Sequence, residues 1–274
     1  MTGLQQIDVE QVLREKAPRL AGKIPAFLIR YLCRIIHQDE INGILVRYRH
    51  LQGVAFMRAL VDEFGLTLEL HGEANLPPAG GRYVFASNHP LGGLDGICLA
   101  AMLGERYDSK IRYLVNDLLM FIPNLQSIFV PINKHGAQGR DAAEKMEEVF
   151  RSDHQILTFP AGLCSRRTKG MIRDLPWKKS FIQKAVAHRR DIVPLYFDGR
   201  NSVFFYRLAN IRKRLCIKMN IEMLYLPDEM FRNSKQTFRI HVGAPIPWQT
   251  FDRTRKWDEW AEWIKEKVYT LKKE

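Results

Sequence analysis

Cysteine is scarce and scattered in this chain of 274 residues: Cys33, Cys98, Cys164 and Cys216 are the only four, with no close pair among them. That spacing matches neither a zinc site nor a disulfide framework, and it implies a reducing compartment. Also missing is any uninterrupted apolar run of about 18 residues, the usual minimum for a bilayer-spanning helix, so no transmembrane helix is expected. The opening Met-Thr-Gly-Leu-Gln-Gln-Ile-Asp has no basic segment followed by an apolar stretch, and no signal peptide is expected. Neither zinc-finger spacing nor a Lys/Arg-Gly-Phe strand motif is present, so a nucleic-acid partner is not expected. No internal repeat or low-complexity segment stands out, and Pro77-Pro78-Ala79-Gly80-Gly81 reads as a surface turn.

What is present is enough apolar material for a full core, at 46% hydrophobic residues, in one large domain or two small ones. Net charge is +12, from 42 Lys and Arg against 30 Asp and Glu. Such an excess favours an acidic partner: nucleic acid, anionic lipid or an acidic protein, among which charge alone does not choose.

Ile24, Phe27, Leu28, Tyr31, Leu32, Ile35 and Ile36 recur at helical spacing, with Arg30, Arg34 and His37 on the other side. A second helical stretch covers residues 41–64, joined near Gln38-Asp39-Glu40. Residues 1–64 are thus expected as an N-terminal amphipathic helical pair. Two fates stay open for the first helix: lying in a membrane interface, or packing on the protein's own core. Strand patterns then follow at 66–70, 83–87, 111–115, 127–130, 155–159, 192–197, 221–226 and 237–242. Helical patterns between them begin near Gly96 and cover 118–121, 140–150, 177–188 and 204–215. This alternation predicts an α/β domain over 65–250, with a largely parallel or mixed central sheet flanked by helices and ligands at the carboxyl ends of the strands. Trp257, Trp260, Ala261, Ile264, Val268 and Leu271 line one face of a C-terminal amphipathic helix, 251–274, expected to pack on that domain.

The most informative stretch is Asn88-His89-Pro90-Leu91-Gly92-Gly93-Leu94-Asp95, a Gly-rich loop between a strand and a helix. A neutral imidazole accepts a hydroxyl proton near pH 7, and a carboxylate within reach fixes its tautomer and stabilises the imidazolium. Gly92 and Gly93 permit positive φ, so the loop can turn tightly and aim N–H groups at developing negative charge. Two bland readings stand beside this one: Asp95 as a helix cap, and His89 as a turn residue.

Three more blocks follow: Ile128-Phe129-Val130-Pro131-Ile132-Asn133-Lys134, Phe159-Pro160-Ala161-Gly162-Leu163-Cys164-Ser165-Arg166 and Ile192-Val193-Pro194-Leu195. In this order, over about residues 65–245, they resemble the PlsC-like glycerolipid acyltransferases of the lysophosphatidate acyltransferase type. The resemblance implies that fold and an acyl transfer in which His89 is general base, Asp95 supports it and a hydroxyl attacks an acyl thioester. It implies no cofactor and no metal, and packing roles for Cys98 and Cys164. Carried over position by position, it makes Asn88, Gly92, Gly93, Asn133, Lys134, Phe159, Pro160, Ala161, Gly162, Ser165, Arg166 and Arg167 candidate substrate-binding residues.

Three departures bear on the acceptor. Five residues separate His89 from Asp95 where the family has four, Lys134 replaces an Arg, and Ala161 replaces a Glu. The Ala161 change and the Asn-His-Pro-Leu-Gly-Gly-Leu-Asp-Gly block look like the haemolysin-named branch, associated with O-acylation of lyso-ornithine or lyso-glycine lipids. That match extends to Lys169, Asp174, Trp177 and Asp198-Gly199-Arg200-Asn201-Ser202. The expected partners are therefore a lyso-amino-acid-lipid acceptor, an acyl carrier protein or coenzyme A thioester as donor, and an anionic membrane surface. Acidic carrier protein is expected to be steered by Lys178, Lys179, Arg189, Arg190, Arg212, Lys213 and Arg214. The expected location is cytoplasmic, peripheral on the inner face of the cytoplasmic membrane. Phosphatidate formation from lysophosphatidate, lipid-ester hydrolysis and noncatalytic binding of anionic membranes are the alternatives.

Overall fold

The β-branched and aromatic run Tyr83-Val84-Phe85-Ala86-Ser87 forms a strand buried from its second residue onward, as an apolar run covered on both faces must. It is the middle strand of a seven-stranded sheet in a computed structural model that describes residues 6–16, 24–115, 122–131 and 137–273. For 137–142 and 273 only the backbone is described. In chain order the helices α1 (Val9–Lys16), α2 (Ala26–Ile36), α3 (Gln38–Arg47) and α4 (Gly53–Glu63) come first. Next are β1 (Thr67–His71), β2 (Tyr83–Ser87), α5 (Leu94–Arg106), β3 (Ile111–Val115), β4 (Phe129–Pro131), α6 (Ala137–Arg151) and β5 (Gln155–Thr158). A hairpin of β6 (Arg166–Thr168) and β7 (Met171–Arg173) precedes α7 (Ser180–Ala187) and β8 (Asp191–Asp198). The chain continues with α8 (Val203–Arg214), α9 (Leu226–Arg232), β9 (Thr237–Val242) and α10 (Trp257–Thr270).

Contacts divide the chain into a helical unit, Met1–Leu51 with Asn201–Ser234, and a sheet unit, Gln52–Arg200 with Lys235–Glu274. In the sheet unit the strand order is β1-β9-β8-β2-β5-β3-β4, and every pair is parallel except β8 with β9. The expected α/β class with a largely parallel central sheet is thus the observed one. Val84, Ile156 and Ile192 of the sheet share one core with Ile182 of α7 and Trp260, Ile264 and Val268 of α10. Helices α4 and α5 cross so closely that a Cβ on Gly104 would sit 2.3 Å from Val54 Cγ1.

The sequence expectations differ from the structure in specific places. The helix expected over 41–64 is broken between α3 and α4, where Gln52 is extended and Gly53 takes φ +55°; α4 belongs by its contacts to the sheet unit. The expected strand at 221–226 is a 3-10 helix, Ile221–Tyr225. Its alternation is inverted: the buried residue is Glu222, paired to Arg212 at 2.8 Å, and α9 follows directly with Pro227 in its first turn. The β6–β7 hairpin was not expected, and the helical turn expected at 118–121 lies outside the described residues. Among the described residues no helix is long and apolar enough to cross a membrane.

Candidate active site

Strand β2 ends at the carboxyl edge of the central sheet and delivers Asn88 and His89 into the loop before α5. Asn88 is buried and spans to the neighbouring strand: its amide nitrogen donates to the Phe197 carbonyl at 3.0 Å, and its oxygen accepts from the Phe197 N–H at 2.7 Å. This side chain therefore sets where the loop leaves the sheet. His89 follows, its ring 13% exposed and lying on Phe159 at a centroid distance of 4.2 Å.

His89 Nδ1 stands 3.0 Å from Asp95 Oδ2. Asp95 is fully buried in the first turn of α5, where it also accepts N–H bonds from Leu91 at 3.0 Å, Gly92 at 3.4 Å and Gly96 at 2.9 Å. The capping and partnering roles that looked like alternatives are one arrangement, since the same carboxylate closes the loop, sits at a positive helix end and holds the imidazole. Gly92 adopts φ +78° as expected, whereas Gly93 is extended at φ −167°, so the positive-φ freedom is used once. Gly96 allows the Tyr113 hydroxyl to pack against α5, because a Cβ there would lie 2.2 Å from it.

Burial alone would lower the basicity of His89. The charge and hydrogen bond of Asp95, aided by Asp174, overcome burial and raise the imidazole above its ordinary value, while Arg166 works against them. For Asp95 burial acts upward, but His89 and the loop N–H groups hold the carboxyl below its usual range. Each partner thus stabilises the charged form of the other. With Nδ1 engaged, Nε2 is the nitrogen left to exchange a proton with a substrate; no described residue bonds it.

The third block comes back to the same loop. Ser165 N–H donates to the His89 carbonyl at 2.7 Å, and Ser165 Oγ donates to Asp174 at 2.6 Å. Asp174 also accepts from the His89 N–H at 3.2 Å and from Trp177 Nε1 at 2.9 Å, and its own N–H is held by the Tyr269 hydroxyl at 2.8 Å. A second buried carboxylate thus ties the histidine, Ser165 and α10 together. Sequence alone does not reveal its role: Asp174 is 85 residues from His89 and belongs only to the longer match, and nothing in the sequence points to Tyr269.

The other candidate binding residues divide by position. Phe159, Ser165 and Arg166 are brought to His89, and Arg166 Nη1 donates to the Cys164 carbonyl at 2.8 Å. Arg167, next along β6, is exposed. Pro160 is buried with its carbonyl accepting from the Lys178 N–H at 3.0 Å, and Gly162 takes φ +70° to turn the loop. Ala161 lies in the core with Trp177 and Phe181, so the missing Glu carboxylate is replaced by core packing. Asn133 and Lys134 lie outside the described residues. Cys98 and Cys164 are fully buried, and burial pushes the Cys98 thiol far up.

Two of the cations expected to steer a carrier protein are used elsewhere. Arg190 is fully buried, donating to the Phe150 and His154 carbonyls at 2.8 Å each at the end of α6. Arg212 is paired to Glu222.

A family model described as "Acyltransferase" matches residues 11–274. The chain is 52% identical over 265 residues to a lyso-glycine lipid O-acyltransferase of Bacteroides thetaiotaomicron, covering 97% of each chain. It is 50% identical to a protein of the same name from Phocaeicola vulgatus, covering 97% of this chain and 95% of that one. Among solved structures it is similar to the crystal structure of the 1-acyl-sn-glycerophosphate acyltransferase PlsC from Thermotoga maritima, with TM-score 0.48 and 15% identity over 90% of this chain and 93% of that one. The match along nearly the whole chain, together with relatives at half identity, places this protein in the acyltransferase family, as an enzyme of the acyl-transfer class.

Proposed function

We propose that this enzyme transfers a fatty acyl group from a thioester to the hydroxyl of a lyso-glycine lipid, with His89 as general base. The observation that carries the chemistry is the Nδ1 to Oδ2 contact of 3.0 Å between a partly open imidazole and a fully buried carboxylate. The names of the two relatives at half identity support the acceptor.

In this reading the acceptor hydroxyl gives its proton to Nε2 as its oxygen attacks the thioester carbonyl. Asp95 holds the Nδ1–H and offsets the positive charge that forms on the ring. Collapse of the tetrahedral intermediate breaks the C–S bond, and the imidazolium returns its proton to the departing thiolate, so the products are an ester and a thiol. A thioester is already activated, and the enzyme's part is to position the alcohol, accept its proton and exclude water. Arg166, near enough to His89 to depress its basicity, is assigned to the carboxylate of the glycine head group, as a charge-assisted hydrogen bond worth about 1.5–3 kcal/mol. The donor is acyl carrier protein or coenzyme A thioester, and the enzyme works as a peripheral protein at an anionic membrane surface, where its acceptor resides.

The test is turnover of purified protein with a labelled acyl thioester and lyso-glycine lipid, products read by mass spectrometry. Diacylated glycine lipid is expected from the wild type, and none above background from a folded His89→Ala variant. Release of free fatty acid alone, or acylation of lysophosphatidate in preference to lyso-glycine lipid, overturns the reading.

A further inference from the structure

The helical unit leaves uncovered what a protein core normally hides. Of the fourteen large hydrophobic side chains exposed among the described residues, twelve belong to this unit; Met171 and Leu175 are the others. They are not scattered. Helix α8 buries Phe205, Tyr206 and Ala209 on one side, yet Phe204, Ile211 and the C-cap residue Leu215 recur at intervals of seven and four on another, exposed by 47%, 52% and 65%. Such spacing puts the three on a single stripe. On α2, Phe27 is 67% exposed, with Leu28 and Tyr31 beside it.

The two stripes are joined within the unit. The Tyr31 hydroxyl is 2.6 Å from the Tyr225 hydroxyl, and the Tyr225 ring meets Phe204 edge to face at 5.0 Å. Charge on the two helices has one sign. Neither α2 nor α8 contains an acidic residue, and none occurs between Asp198 and Glu222 in the sequence. Arg30, Arg34, Arg207 and Arg214 are exposed around the apolar stripes.

We propose that this face, formed by α2 and α8 through the Tyr31–Tyr225–Phe204 bridge, is the surface with which the protein docks on an anionic lipid bilayer. Apolar side chains leave water by entering the acyl boundary, tyrosine hydroxyls stay at the head-group level, and the arginines meet lipid phosphates. An acidic carrier protein would satisfy the arginines, but a small acidic helix is a poor match for uncovered apolar side chains on two helices. A bilayer has both chemistries and no size limit. The inference deepens the proposed function, since a lipid acceptor is reached from a bilayer, but lipid binding is measured without turnover and the two fail separately.

The experiment is co-sedimentation of the full chain with vesicles of phosphatidylcholine alone or mixed with phosphatidylglycerol. Wild type and His89→Ala are expected to bind the mixed vesicles equally, so loss of catalysis leaves docking untouched. The double variant Ile211→Asp with Leu215→Asp is expected to bind about a hundredfold more weakly, as two Leu-sized side chains no longer leave water. Its melting temperature is expected to stay at the wild-type value, because both side chains are exposed. Arg207→Glu with Arg214→Glu is expected to weaken binding to the mixed vesicles by about tenfold or more while leaving binding to phosphatidylcholine unchanged. Wild-type partitioning by the Ile211/Leu215 variant overturns the proposal. So does capture of acyl carrier protein through this face by a wild-type chain that leaves the vesicles unbound.

Discussion

The sheet unit and the helical unit handle polar and apolar groups in opposite ways. In the sheet unit the consequential polar groups are inside: Asp95, Asp174, Asn88 and Ser165 are all buried, and each has named hydrogen-bond partners. In the helical unit apolar groups are outside, along α2 and α8, while its buried carboxylates join its own pieces, Glu222 to Arg212 and Glu229 to Ser202. A proton-transfer pair needs a rigid site from which bulk water is kept, because burial makes each fixed bond count and each unpaired charge costly. A docking surface needs the reverse, apolar area that is still in water until its partner removes it.

The largest effect expected from breaking this contrast is at the buried pair. His89→Ala is expected to lower kcat/KM by about 10²–10⁴-fold, the usual contribution of a positioned general base; steady-state kinetics on folded protein decides this. Next comes the core beneath it. Leu99 is fully buried in α5, and Leu99→Ala is expected to cost about 2–5 kcal/mol in urea unfolding.

A subtler effect belongs to the second carboxylate. A base must be neutral to act, so activity is present above the folded-state pKa of His89 and falls as pH drops through it. Since that pKa is raised above 6.5, the acid limb of kcat/KM is expected above pH 6.5. Asp174 helps to raise it, so Asp174→Asn is expected to move the limb toward lower pH, a shift that mere loosening of the loop does not produce. The stability linkage has the opposite sense. The His89–Asp95 ion pair contributes fully below the ordinary histidine value and is lost as pH rises through the raised one. Smallest of all is the change on the exposed stripe: Leu215→Ala is expected within about 0.5 kcal/mol of wild type in the same urea experiment, against the kilocalories at Leu99. Equal costs at Leu99 and Leu215 would erase the distinction between the units.

Much of the sheet was legible because its strands are short apolar runs bounded by turn residues. The expected 83–87, 111–115 and 237–242 coincide with β2, β3 and β9. The 221–226 error shows the limit, since alternation in sequence does not say which side is buried, and an Arg partner on α8 reversed it. The missed β6–β7 hairpin is three residues a side, and half of those six residues are Arg, with no apolar period to detect.

What the sequence determined by itself was local: the period of each strand and helix, and a histidine and a carboxylate near enough along the chain that one short loop must bring them together. What only the tertiary structure decided was the remote half of the site. Asp174 and Phe197 reach the histidine loop through bonds across 85 and 109 residues, and Tyr269 holds Asp174 across 95. No residue pattern encodes such a contact, because each bond depends on where the sheet order and the packing of α10 place backbone groups distant in sequence. The uncovered stripe on α8 has the same origin. Both of its faces are apolar, and folding alone selected the one to bury.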